Sequence, residues 1–379
     1  MRRPSVDQDL ELFRDSARQF FQKQIGPQSE AWRAAGIVDR AAFRAAGEMG
    51  YLCMWADPQF GGLGIKDFRY EQVLIEENAE HGDSGYFITL HSRLVAPYFE
   101  HFGSEEQKAR FLPGFISGEK ILGIAMTEPD AGSDLAGMKT RAEDKSDHWL
   151  LNGSKTYISN GINGDVFIVA ARTNPEQSHA ISLFIIERGM DGFERGRNLK
   201  KMGMKSQDTA ELFFRDVKVP KENLLGQPHA GFYHLMQGLA EERLIAAVGN
   251  LACARRAFKI TRDFVLERKA FGKPISKFQN TRFKMAELEA EMDMAQVYVD
   301  RLVEVHNAGK LSPVDAARAK LITSELAGRM VDLGVQLHGG AGYMDEYEIC
   351  RLYQDERIHR ILAGTSEIMK ELIAREVLD

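Results

Sequence analysis

The run Gly238-Leu239-Ala240-Glu241-Glu242-Arg243-Leu244 sets two adjacent carboxylates on an apolar helical pattern, and Ala363-Gly364-Thr365-Ser366-Glu367 places a sharp glycine turn among hydroxyls further along. A carboxylate held among apolar neighbours can serve as a base, because burial disfavours its charged form and raises its proton affinity. A glycine turn lets backbone N–H groups approach an anionic or planar ligand closely, and the hydroxyls beside it add adaptable hydrogen bonds. Two more loops share that character: Thr127-Glu128-Pro129-Asp130-Ala131-Gly132-Ser133-Asp134 and Gln336-Leu337-His338-Gly339-Gly340-Ala341-Gly342-Tyr343. Any one of them is equally a plain turn, since glycine and serine are ordinary loop residues. By themselves, then, the residues describe a helical protein with several candidate ligand loops.

The elements that must position these loops fall into three blocks. Leu10, Phe13, Ala17 and Phe20 recur at helical spacing, and amphipathic stretches follow at 40–50, 67–80 and 104–117, so residues 1–120 form an N-terminal helical domain. Strand-like runs at 149–151, 166–169, 181–186 and 212–214, with turns expected at Asn152-Gly153 and Asn163-Gly164, make 121–232 a middle β-domain. Long helices expected over 233–268, 276–308, 313–338 and 365–377, with short joints and a Ser312-Pro313 start for the third, make 233–379 a four-helix bundle. The fold class is α+β.

Composition narrows the function. With 379 residues, 44% of them hydrophobic, the chain can bury a large core, and a net charge of −6 without a basic stripe argues against nucleic acid. Cys53, Cys253 and Cys350 are too scattered for a disulfide framework or a metal site, and read as reduced thiols. No apolar run reaches the roughly 18 residues of a membrane span, and Met1-Arg2-Arg3-Pro4-Ser5 lacks a secretory apolar segment, so a cytoplasmic location is expected, or the mitochondrial matrix for a processed eukaryotic chain. A P-loop, a His-Glu-x-x-His zinc helix, a Gly-x-Ser-x-Gly elbow and a dinucleotide-binding Gly-x-Gly-x-x-Gly are all missing, which weakens the hydrolase, NTPase and nicotinamide readings.

Taken in order, the loops resemble the acyl-CoA dehydrogenase family along nearly the whole chain. Ala125-Met126-Thr127-Glu128-Pro129-Asp130-Ala131-Gly132-Ser133-Asp134 matches its first signature, and the resemblance implies FAD as cofactor, with Ala125, Met126, Thr127 and Gly132 at the flavin and Ser133 touching both cofactor and acyl-CoA. Tyr157-Ile158-Ser159 is similar to the second flavin segment, with Tyr where many members have Trp. Arg268 and Phe271, with Gln279 beyond them, resemble the segment that reaches a neighbouring subunit's FAD. Gln336, Leu337, His338, Gly339 and Gly340 resemble another cofactor contact, which leaves His338 no proton-transfer role, and Thr365 and Glu367 resemble the last. A homotetramer and an electron-transfer flavoprotein as electron acceptor are further implications.

In most of the family the proton-abstracting glutamate immediately precedes the Gly-Thr turn, where this chain has Ala363. In the long-chain and isovaleryl branches a glutamate before Arg-Leu on the first helix of the last domain serves instead, and Glu242-Arg243-Leu244 resembles that pattern. Glu241 and Glu367 are its rivals; consecutive helical residues point about 100° apart, so only one of the adjacent pair faces a ligand. The resemblance implies α,β-dehydrogenation of a fatty acyl-CoA, with Tyr233, Arg243, Ser133 and the Gly364 backbone on the substrate. Similarity at 205–214 and 367–376 favours medium to long chains. Tyr86 or Phe87, where the long-chain type has smaller residues, is expected to shorten or reshape the acyl tunnel. An acyl-CoA oxidase and a non-catalytic binding protein are the rival readings.

Overall fold

The computed structural model describes residues 7–177 and 179–378. Its first block is helical: α1 (Gln8–Phe20), α2 (Ser29–Ala35), α3 (Arg40–Glu48), α4 (Phe68–His81), α5 (Pro97–Phe102) and α6 (Glu105–Ile116). Their starts are set by short polar side chains that accept otherwise orphaned N–H groups: Asp7 takes that of Leu10 at 2.9 Å, and Ser104 with Gln107 forms a reciprocal capping box on α6.

The second block is an eight-stranded sheet, built from β1 (Leu122–Ala125), β2 (Arg141–Asp144), β3 (His148–Ser159), β4 (Val166–Arg172), β5 (Ile181–Glu187), β6 (Phe193–Arg195), β7 (Thr209–Pro220) and β8 (Leu224–Leu225). The path runs β6-β7-β3-β2-β4-β5-β8, with β1 parallel to β4. Strand alternation divides β4 and β5 between two cores. Val166, Ile168, Ala170, Leu183 and Ile185 pack on Phe99, Phe111 and Phe115 of the helical block, while Phe167, Val169, Phe184 and Ile186 close on Trp149 and Phe214.

The third block holds α7 (Gly231–Glu267), a tight hairpin of β9 (Lys269–Ala270) and β10 (Lys273–Pro274), α8 (Gln279–Asn307), α9 (Pro313–His338), α10 (Glu348–Glu356) and α11 (Ser366–Leu378). The central helix α7 packs most extensively on α9 and also lies on α4. Alanines at 247, 254 and 257 on α7, with 319 and 327 on α9, belong to the shared core and let the helices approach.

The sequence reading did not include α2 and α5, and the fold departs from it elsewhere as well. Asn152-Gly153 is not a turn but lies inside β3, where a bulge brings the backbone so close to Thr140 that a Cβ on Gly153 would sit 2.4 Å from its hydroxyl oxygen. The joint between the third and fourth long helices is not short, since residues 339–365 contain two 3₁₀ turns and α10. Strands β1, β2, β6 and β8 are too short to show a periodicity of their own.

Candidate active site

A cavity of about 580 Å³ lies among α4, the loop after it, the sheet, α7 and the segment from α10 to Ala363. Glu242, Ala246, Gly249, Cys253 and Arg256 line it from α7 at steps of three or four, with Ile245 beside them, forming one helical face. That face spans roughly 21 Å of helix from Glu242 to Arg256. Leu352, Glu356, His359, Leu362 and Ala363 form the facing wall. The two walls run in opposite directions. Arg256 pairs with Glu348 at 2.7 Å, Asn250 meets His359 nearer the middle, and Gly364 comes level with Arg243, because Lys320 donates to the Gly364 carbonyl at 2.6 Å and feels the Arg243 charge. Leu74, Ile75, Leu90 and Leu94 supply an apolar third side.

Glu242 is 9% exposed, and burial pushes its carboxyl up to about 7 against the opposing pull of Arg243 and the Tyr98 hydroxyl. Glu241, the next residue, turns elsewhere: it pairs with Arg93 and lies 3.5 Å from His306. Ala363 and Gly364 adopt φ of +53° and +90°, a left-handed turn that alanine tolerates poorly. Their two N–H groups meet no acceptor among the described residues. Thr365 caps α11, accepting the Ile368 N–H at 3.2 Å. Glu367 is exposed beside that cap, where its own backbone N–H and the Thr365 hydroxyl hold its carboxyl below the usual range.

The sheet contributes Ile124, Met126, Thr127, Tyr157, Ile158 and Ser159 to the cavity wall. A second bulge in β3, between Lys155 and Ile158, puts Tyr157 at φ +58° and leaves its ring 70% exposed. Beneath it lies an ion pair that sequence reading did not single out. Lys155 Nζ donates to Glu128 Oε1 at 2.9 Å and to the Met126 carbonyl at 3.0 Å, while Glu128 also accepts the backbone N–H groups of Lys139 and Thr140. Lys155 stands among other polar residues of β3, so nothing local marks it as buried, and its partner is 27 residues away.

Other expected residues lie outside the cavity. Ala125 is packed into the sheet core, so only its backbone is available to a ligand. Gly132 and Ser133 sit on the exposed loop before β2, and Tyr233 is 68% exposed at the start of α7. Arg243 is buried, with Nη1 3.5 Å from the Pro313 carbonyl. Arg268, Phe271 and Gln279 are exposed around the β9–β10 hairpin, Phe271 at 96%. Gln336, Gly339 and Gly340 are exposed, and Leu337 packs against the bundle core. His338 is a packing residue here: it stacks on Phe264 at 4.1 Å and its Nδ1–H donates to the Gly334 carbonyl at 2.7 Å.

Models of the acyl-CoA dehydrogenase N-terminal, middle and C-terminal domains match residues 7–119, 123–217 and 229–378. The chain belongs to the acyl-CoA dehydrogenase family. It is 45% identical to the long-chain specific acyl-CoA dehydrogenase of Sus scrofa, over 97% of this chain and 86% of that one. It is 34% identical to the isovaleryl-CoA dehydrogenase of Pongo abelii, over 98% and 89%. A crystal structure of an acyl-CoA dehydrogenase from Geobacillus kaustophilus superposes with a TM-score of 0.97 at 44% identity, covering 99% of both chains. The protein is thus an FAD-dependent enzyme that dehydrogenates an acyl-CoA. The cavity of this dehydrogenase fits a flavin: an exposed aromatic ring at Tyr157 offers a stacking face, and Thr127 and Ser159 supply hydroxyls on the same wall. Among the described residues no helix is long and apolar enough to cross a membrane.

Proposed function

We propose that Glu242 is the base of this dehydrogenase, taking the α-proton of a medium- to long-chain or branched acyl-CoA to give the trans-2-enoyl product. The observation that carries the reading is a buried carboxyl on the cavity wall, level with a turn whose free N–H groups can donate to a carbonyl oxygen. An ordinary glutamate is too weak a base for a carbon acid. Burial raises the proton affinity of Glu242, and the N–H groups of Ala363 and Gly364 acidify the α-carbon by holding charge on the thioester oxygen. When bound, FAD accepts the hydride that leaves the β-carbon. Met126, Thr127, Tyr157, Ile158 and Ser159 would hold the flavin ring, and the apolar side formed by Leu74, Ile75, Leu90 and Leu94 would take the acyl chain.

Arg268, Phe271, Gln279, Gln336, Gly339 and Gly340 would serve the cofactor of a second copy. The support is their position: they open on the outside of the bundle, and a nearly fully exposed phenylalanine at a hairpin tip suits a protein contact. Assembly as a homotetramer follows the family pattern, as does an electron-transfer flavoprotein as acceptor. Ser133, Tyr233 and Arg243 would then lie toward the coenzyme A portion of the substrate, outside the acyl cavity.

The deciding experiment mixes the purified yellow protein anaerobically with a panel of acyl-CoAs and follows the flavin absorbance. Bleaching by native protein, and its loss in a Glu242→Gln variant that keeps FAD, is the expected result. Near-normal bleaching in the variant moves the base elsewhere. Peroxide release in air at the rate of turnover favours the oxidase reading, and a protein that never takes up FAD favours the non-catalytic one.

A further inference from the structure

Midway along the cavity, the wall opposite α7 stops being apolar. Glu356 is 2% exposed, lines the cavity, and apart from the Cys253 thiol, a weak donor, neither of its carboxylate oxygens has a hydrogen-bond partner among the described residues. A buried carboxyl with so little pairing is costly, and a bound polar group would relieve that cost. The cations near it are engaged elsewhere: Lys320 donates to the Gly364 carbonyl, and Arg360 lies 3.7 Å from Glu325. Cys253 faces it from α7, and burial pushes the Glu356 carboxyl well above the usual range, which favours the neutral acid, the form with one O–H to donate.

His359, also on the cavity wall, has Nδ1 4.0 Å from Glu356 Oε2. Its tautomer follows from a chain of bonds. The Thr323 hydroxyl donates to the Ala319 carbonyl at 2.8 Å, so toward Asn250 it accepts, taking the side-chain N–H at 3.3 Å. That leaves the Asn250 side-chain oxygen facing His359 Nδ1, which must donate to it. Burial keeps the ring neutral, at about 4, so Nε2 holds a free lone pair. No partner for Nε2 is found among the described residues.

We propose that Glu356 and His359 form a subsite for a hydroxyl group carried on the distal part of the acyl chain, the hydroxyl accepting from the Glu356 O–H and donating to His359 Nε2. The proposal rests on the acyl-CoA dehydrogenase reading and names the substrate class within it. Its depth follows from α7: Asn250 and Cys253 lie roughly 12–17 Å along the helix from Glu242. An extended chain advances about 1.2 Å per bond, so the hydroxyl belongs roughly ten to fourteen bonds beyond the α-carbon.

The test compares matched ω-hydroxy and unsubstituted acyl-CoAs, roughly ten to sixteen carbons long, by anaerobic flavin bleaching and by kcat/KM. Native protein is expected to prefer the hydroxylated member by about tenfold or more within one window of lengths, as two net hydrogen bonds allow. Glu356→Leu and His359→Phe are each expected to erase the preference and raise kcat/KM for the unsubstituted chain, and Glu356→Gln to restore part of it. Equal use of both members at every length by native protein, or equal changes toward both members in the Leu variant, overturns the subsite while leaving the dehydrogenase reading intact; the second result marks a water-filled polar wall. Failure of every acyl-CoA to bleach the native flavin overturns both.

Discussion

The Tyr98 hydroxyl on α5 lies 3.5 Å from Glu242 Oε1 on α7, joining the helical N-terminal block to the proposed base. Tyr98 is buried, and its O–H donates toward the carboxylate form of Glu242, lowering a proton affinity that burial alone would set higher. Tyr98→Phe removes that donor. The midpoint of the rate increase with pH in flavin bleaching, near 7 for native protein, is expected to move upward by less than about one pH unit, equivalent to about 1.4 kcal/mol. A downward shift would show that the phenol opposes the charged form.

The raised Glu242 carboxyl also makes stability fall as pH rises. Below its ordinary value of 4.5 the group is protonated in both folded and unfolded chains. Between 4.5 and about 7 the unfolded chain ionises while the folded one keeps its proton, so stability falls as pH rises, levelling off above the folded value. The full penalty is on the order of 3 kcal/mol. Glu242→Gln is expected to match native protein near pH 4 and to exceed it by that order at pH 8 in denaturant melts. A constant difference across the range would mean the carboxyl is not displaced.

How much of this was legible before folding depends on the range of each interaction. The three-block architecture showed in the sequence because helical and strand periodicities are local, and β4 and β5 are long enough to display theirs. That only one of Glu241 and Glu242 could face a ligand followed from helix geometry, but which one depends on Arg93, far away in the chain. The exposure of Tyr157 comes from a bulge, a property of two paired strands and not of one. Glu356 and His359 belong to no motif, and only the antiparallel approach of α7 and the α10 segment puts them in the cavity.

Lys155 and Glu128 test whether the flavin wall depends on a buried charge pair. Lys155 is fully buried, and Glu128 would be left with two backbone N–H partners but no counter-charge after Lys155→Met. Removing one partner of a buried pair typically costs about 3–5 kcal/mol. The variant is expected to lose stability of that order in denaturant melts and to purify with less FAD, because the Met126 carbonyl loses its anchor as well. Pairing it with Glu128→Gln is expected to return a large part of the loss, since no uncompensated charge then remains. A Lys155→Met protein as stable and as yellow as native would sink the positioning role.

Tyr86 and Phe87 were equal candidates for shaping the acyl tunnel, and the structure separates them. Tyr86 is completely buried, its hydroxyl donates to the Ala42 carbonyl at 2.7 Å, and its ring meets Phe21, Trp32 and Phe43 in the N-terminal core. Both residues line the cavity, but Phe87 is only partly buried and packs at the margin of the core shared with the sheet, so its ring is the freer of the two to yield space. Tyr86→Phe is therefore expected to cost about 1–3 kcal/mol of stability, the penalty of an unsatisfied buried carbonyl, with chain-length preference unchanged. Phe87→Ala is expected to shift kcat/KM toward longer or branched acyl-CoAs, because the ring's volume becomes available to substrate. A chain-length series on both variants checks this, and a shift in the Tyr86 variant without one in the Phe87 variant would reverse the assignment.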